Sequence, residues 1–197
     1  MISDPYGLYR VFSENDFLVF DTSGLKYENM NKRASYELVE LRKKVRTLAT
    51  ESGILNCQIN YLERITNLIL STPKIRVPKI VYDETMAGCP KLRTGIFYQY
   101  RLSIEKFLDV CKKRGVLIYP DKDDLALLLD QANAIGIKER DCKVISSATR
   151  LEGRVALISN DMGIIRVLLT NMHKKHVRPY SPLREESIVL VEKPFIN

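Results

Sequence analysis

No apolar run in the 197 residues approaches the ~18–20 residues of a membrane-spanning helix, so no membrane association is expected. The first stretch, MISDPYGLYRVFSEND, puts an acid and a proline where an export signal would need apolar residues, and a cytoplasmic protein is expected. The four cysteines (Cys57, Cys89, Cys111 and Cys142) lie 32, 22 and 31 residues apart, far from any C-x-x-C zinc or redox spacing, and read as reduced thiols. Histidine is confined to His173 and His176, which argues against a histidine-rich zinc site or a Ser-His-Asp triad. Only 9 glycines occur, and neither a Walker loop nor G-x-G-x-x-G is among them, so nucleotide-cofactor enzymes lose their usual signature. Any metal would have to be held mostly by carboxylates.

What is present suits one globular domain over residues 1–197. The 45% hydrophobic content supplies a sizeable core, and the chain length is that of a single unit. The 31 Lys and Arg exceed the 24 Asp and Glu to give a net charge of +7, which favours a polyanionic partner such as nucleic acid. Basic clusters at 43–46 (Lys43, Lys44, Arg46) and 112–114 (Lys112, Lys113, Arg114) are candidate contacts to a phosphate backbone. Their ordinary reading is a solvated face. Tyr98 and Tyr100 could stack on bases or simply pack.

Alternation of apolar runs and helical stripes points to an α/β fold. FLVF at 17–20, VLIYP at 116–120, VALIS at 155–159 and SIVLVE at 187–192 read as strands of a parallel sheet, and VPKIVY at 77–82 is a Pro-led apolar stretch. Between them, residues 33–71 carry two helical stripes interrupted at Gly53, predicting a helical hairpin inserted in the domain. Further helices are expected after VPKIVY to about Gly88, at 95–113, from Asp121 to Gly136, from 138 to about 151, and after Asp161. The last part, about 173–197, is expected to extend the sheet. The architecture this implies has three layers, helices on both faces of a parallel sheet.

In such sheets ligands bind beyond the carboxyl ends of the strands. Asp21 follows the first strand, Glu84 follows VPKIVY, Asp141 opens a helix, and Asp161, twenty residues on, follows VALIS. One helix out and one strand back can return Asp141 and Asp161 to the same edge. Four carboxylates at close range repel one another, and a divalent cation with hard oxygen ligands relieves the conflict. A basic protein with an acidic metal cleft suits phosphodiester hydrolysis, the Lys and Arg holding the backbone and the acid cluster cutting it. Each acid also has a plainer reading. Asp21 could cap a turn, Asp141 could favour a helix N-terminus, Asp161 could be an N-cap, and Glu84 could be a surface acid with Asp83 as its rival.

Four segments, in order, resemble the PIN-domain nucleases: FLVFDTSGL at 17–25, VPKIVYDE at 77–84, ERDCKVISSATRLEG at 139–153 and VALISND at 155–161. The resemblance covers about residues 15–170. It implies an α/β/α sandwich around a parallel sheet of four to five strands and Mg²⁺- or Mn²⁺-dependent endonucleolytic cleavage of RNA to 5′-phosphate and 3′-hydroxyl ends. It makes Asp21, Glu84, Asp141 and Asp161 the catalytic, metal-holding set, with Thr22, Ser23 and Ser159 orienting those carboxylates and Asn160 assisting. As partners it implies an RNA substrate, an antitoxin protein if the chain is the toxin of a toxin–antitoxin pair, or a second copy of the chain. An RNA-processing role, a catalytically silent RNA-binding or scaffold module, and a structure-specific DNA nuclease are the alternatives. The 28–75 segment is longer than in the small toxin ribonucleases, and Ile164 and Ile165 stand where the family usually places an aromatic residue.

Overall fold

The computed structural model describes residues 8–25, 47–91, 95–170 and 176–181. Among them are the strands β1 (Phe17–Phe20), β2 (Ile75–Pro78), β3 (Leu117–Ile118), β4 (Val155–Ile158) and β5 (Val177–Tyr180). The helices are α1 (Leu8–Glu14), α2 (Thr47–Ser71), α3 (Lys79–Ala87), α4 (Gly95–Lys113), α5 (Lys122–Ile135), α6 (Glu139–Thr149) and α7 (Met162–Thr170). The strands form one sheet in the order β3-β2-β1-β4-β5, every pair parallel. Helices flank it, giving a three-layer α/β/α arrangement. No helix among the described residues is long and apolar enough to cross a membrane.

The strand chemistry accounts for the order. β1 and β4 hold the middle of the sheet, and Leu18, Val19, Phe20 and all four residues of β4 are buried. Such unbroken apolar runs belong to strands covered on both faces. Pro179, which cannot donate to a ladder, sits on the edge strand β5. From β1 the chain steps outward through β2 to β3, then crosses back to β4 on the other side of β1 and on to β5. Right-handed crossovers place α2 and α4 on one face and α5, α6 and α7 on the other. Accordingly, α2 packs on α4, while α6 packs on α5 and α7 and touches both β2 and β4. The strand order reverses direction at the carboxyl ends of β1 and β4, which is where parallel sheets commonly form a ligand crevice.

Several predicted helices match. Leu55, Ile59, Leu62, Ile65 and Ile69 of α2 are buried, as are Ile104, Phe107, Leu108 and Cys111 of α4. Asp121 caps α5 by accepting from the backbone N–H groups of Asp123 and Asp124 at 3.1 and 3.0 Å. Gly136 ends α5 in the left-handed conformation, φ 68°.

Two expectations change. α2 runs without a break through Gly53, which is exposed with no neighbour near a Cβ position, so the residue costs helix propensity without ending the helix. The predicted interruption there is absent; residues 33–46 lie outside the described residues, as does the 187–192 strand. β2 begins two residues before VPKIVY and stops at Pro78, and Ile80, Val81 and Tyr82 belong to α3. A short apolar run does not distinguish a strand from a buried helical turn, and only Val81 of these three is fully buried. α1 was not foreseen, and β5 extends the sheet within the stretch expected to do so, although VRPY was not the strand expected there.

The turn after β1 depends on Gly24. A Cβ there would stand 2.1 Å from the Ile158 carbonyl oxygen, a backbone atom of β4 that cannot swing away. Two α2 side chains fasten the same turn: Tyr61 Oη donates to the Gly24 carbonyl and Gln58 Nε2 to the Leu25 carbonyl, both at 2.9 Å. Gly24→Ala is therefore expected to lower the unfolding free energy by about 2 kcal/mol or more, checked by urea denaturation of both proteins.

Candidate metal centre

Register delivers the first carboxylate. β1 and β4 pair from Phe17↔Val155 through Phe20↔Ile158, and the ladder continues one step as the Asp21 N–H donates to the Ile158 carbonyl at 3.0 Å. Asp21 thus leaves the strand beside Ser159 and is completely buried. Its Oδ2 accepts from Ser23 Oγ at 2.6 Å, Ser159 Oγ at 3.0 Å and the Ser23 N–H at 3.3 Å. Each serine hydroxyl has one hydrogen and spends it on Oδ2. As acceptors they take backbone groups instead, Ser23 Oγ from Asn160 N–H at 2.9 Å and Ser159 Oγ from Asp161 N–H at 3.0 Å. Oδ1 is left buried with no hydrogen-bond partner.

The other acids come from separate elements. Asp161 opens α7, where its Oδ1 accepts from the Gly163 N–H at 2.7 Å, so the N-cap reading is realised. Asp141 lies in the first turn of α6. Ser146 Oγ donates to the Asp121 carbonyl at 2.7 Å and Thr149 Oγ1 to Asp124 Oδ2 at 2.5 Å, which pins the start of α5 to the end of α6. This antiparallel pairing sends the start of α6 to the carboxyl edge of the sheet. There Asp141 is buried and accepts from the Lys138 N–H at 3.4 Å. Glu84, on α3 rather than after a strand, is half-buried and accepts from Thr22 Oγ1. Its rival Asp83 is taken by Lys79, 2.5 Å away.

Arg140 ties the set together. Its Nε lies 3.2 Å from Asp141 Oδ1 and 3.3 Å from Glu84 Oε1, and one terminal nitrogen is 3.8 Å from Asp21 Oδ1. Burial opposes the guanidinium charge, but Asp21, Glu84 and Asp141 together outweigh it and hold the group more firmly protonated. Burial, reinforced by the charges of Asp161 and Asp21, pushes the Asp141 carboxyl above the usual aspartate range against the pull of Arg140. All four predicted acids therefore meet in one electrostatic cluster.

The residues fit a divalent cation by donor type: a set of hard carboxylate oxygens, one of them buried and unsatisfied, is what Mg²⁺ and Mn²⁺ take. As the side chains stand, no three Asp, Glu, His or Cys residues among those described are gathered closely enough to ligate one ion. Mg²⁺ commonly uses only one or two direct carboxylates and fills its other positions with water.

The predicted orienting residues fall into place. Ser23 and Ser159 hold Asp21, Thr22 holds Glu84, and Asn160 Nδ2 donates to the Ser23 carbonyl at 3.0 Å. The basic residues do not gather with them. Lys112, Lys113 and Arg114 follow from the end of α4 at the amino edge of the sheet, opposite the acids. There Lys113 pairs with Asp109 at 2.8 Å, and Arg114 donates to the Leu70 carbonyl at the end of α2. Lys43, Lys44 and Arg46 lie outside the described residues, as does His173. Tyr98 is exposed and Tyr100 packs against the core.

Two contributors were missed. Ser181, completely buried after β5, donates to Asn160 Oδ1 at 2.7 Å; no sequence signal marks it. Arg140 does leave one: a cation in the first turn of a helix opposes the macrodipole, a local rule broken without local benefit. The chain matches no protein-family model, no curated protein and no solved structure.

The raised Asp141 carboxyl sets a pH dependence. An acid whose folded value exceeds its unfolded one favours the fold while protonated, and that stability is lost as pH rises through the folded value. With EDTA present, Asp141→Asn should match the wild-type melting temperature below pH ~4. At pH 7 it should exceed it by about 2–5 °C, as followed by circular dichroism.

Proposed function

We propose that this chain is a divalent-metal-dependent endoribonuclease of the PIN kind, cleaving RNA to 5′-phosphate and 3′-hydroxyl ends. The observation that carries the reading is the buried Asp21 oxygen without a partner, set at the crevice where the sheet reverses direction. A buried carboxylate with one face uncompensated costs several kcal/mol unless a cation meets it. The four-segment resemblance and the net charge of +7 support the same reading.

In this reading Asp21, Asp141 and Asp161 hold Mg²⁺ or Mn²⁺, with Glu84 at the margin of the cluster. When bound, the ion supplies positive charge for the phosphate oxygens and acidifies a water. Ser23 and Ser159 occupy one oxygen of Asp21 and leave the other for the ion. Thr22 fixes Glu84 in the same way. Asp161 is held by the turn it caps, which keeps its second oxygen free of the Gly163 N–H. The basic surface holds the RNA backbone, so affinity falls with added salt. The toxin of a toxin–antitoxin pair and an RNA-processing enzyme would both use this chemistry.

One observation favours a second reading. Arg140 already supplies a positive charge to three of the acids, as it would in an RNA-binding module without catalysis. Labelled single-stranded RNA and DNA incubated with Mn²⁺ or with EDTA separate the two. The nuclease reading expects RNA cleavage that EDTA stops and that Asp21→Asn and Asp161→Asn each reduce at least about 100-fold. Asparagine keeps the hydrogen-bond acceptors at both positions, including the cap of α7. RNA binding without cleavage would establish the second reading. Cleavage of DNA alone would change the substrate, and cleavage that survives both substitutions would place the activity elsewhere.

A further inference from the structure

Among the described residues Arg140 is the cation paired with Asp21, Glu84 and Asp141, yet its contacts are those of an occupant that is attracted without being locked. A structural arginine grips a carboxylate through two parallel N–H···O bonds at about 2.7–2.9 Å. Here the single Nε–H is divided between two acids at 3.2 and 3.3 Å. The approach to Asp21 is 3.8 Å, too long for a hydrogen bond, which is why Asp21 Oδ1 remains unsatisfied beside a full positive charge. The Arg140 side chain is 37% exposed, whereas Asp21 is fully buried, so the guanidinium can withdraw to water and the carboxylate cannot. Nothing in helix formation favours a cation at this position of α6.

We propose that Arg140 is an internal competitor for the divalent ion. It neutralises the acid cluster in the metal-free protein and gives up its contacts when the ion binds, so that loading requires a threshold of free cation. This rests on the metal-site reading given above. The metal-free chain would otherwise hold several close carboxylates with no cation among them, one of them buried, and the fold would suffer for it. Filling the cluster with a guanidinium removes that penalty and lowers the apparent affinity for metal by the work of displacing it.

Mn²⁺ binding, followed by loss of the free-ion electron paramagnetic resonance signal, tests the competition in the wild type, Arg140→Gln and Arg140→Lys. Three partly exposed ion pairs predict that Arg140→Gln binds Mn²⁺ about tenfold more tightly. Arg140→Lys, which keeps the charge, should stay within about threefold of the wild type. In EDTA, Arg140→Gln should melt below the wild type, and saturating Mn²⁺ should close the gap. A purely structural ion pair would lower stability with and without metal and would not tighten binding. Equal or weaker Mn²⁺ binding by Arg140→Gln overturns the proposal and leaves the metal site standing. Failure of all three proteins to bind Mn²⁺ overturns the metal site, and the proposal with it. Should Arg140→Gln not fold, the wild type alone decides. Titration with Mg²⁺ should shift the Arg140 Nε–H resonance in ¹⁵N spectra to its solvent-exposed position, and an unmoved resonance at saturation overturns the displacement.

Discussion

The Asp21 carboxylate is carried into the interior by the strand before it, and the structure around it is arranged to tolerate that charge. Leu18, Val19 and Phe20 bind β1 into the centre of the sheet, so the next residue has no route to solvent. Burying a carboxylate costs far more than any one hydrogen bond returns. Three donors answer one of its oxygens, and the other is buried without a hydrogen-bond partner, 3.8 Å from Arg140. The donors are themselves held: Ser159 by its place at the end of β4, Ser23 by Asn160, and Asn160 by Ser181 beyond β5. A single charge thereby recruits residues from the ends of three strands. Its tolerance depends on the close approach of Gly24 to β4 and on the grip of α2 on the following turn.

The same constraint explains the distribution of charge. The chain is basic overall, but the edge of the sheet where β1 and β4 end gathers acids from α3, α6 and α7 around Asp21. Lys112, Lys113 and Arg114 stand at the other edge, partly absorbed in the carbonyls that end α2 and in the pair with Asp109. Arg140 is the exception that enters the cluster, reaching Asp141, Glu84 and Asp21 at 3.2, 3.3 and 3.8 Å.

Much of this was legible from residue order. The central strands are unmistakable because a parallel strand buried on both faces must be apolar throughout, and FLVF and VALI are. Asp21, Asp141 and Asp161 stand out because each follows a strand or opens a helix, the places a parallel sheet turns toward ligands, whereas Glu84 lies inside α3. The helix from Lys79 was expected to start only after VPKIVY, because so short an apolar run has no period to measure. Gly53 was read as a break because propensity is a weak prior that packing overrides: Leu55, Ile59 and Leu62 bury their side chains whether or not one exposed glycine costs ~1 kcal/mol. Within the expected C-terminal extension VRPY escaped notice as the strand because Pro179 and the exposed Arg178 interrupt its apolar pattern, and pairing with β4 makes it one.

Residue order alone therefore determined an α/β chain with Asp21, Asp141 and Asp161 at the ends of its elements, because hydrophobic period and strand-end position are local properties. Tertiary structure alone decided that Asp21 keeps one oxygen unsatisfied while Ser23 and Ser159 take the other, that Ser181 reaches Asn160 from a strand far along the chain, and that Arg140 turns into the acids rather than toward water. Those outcomes depend on the register of β1 with β4 and on the folding of α6 back along α5. Both are set by the packing of residues more than a hundred positions apart in one case and by the meeting of two helices in the other.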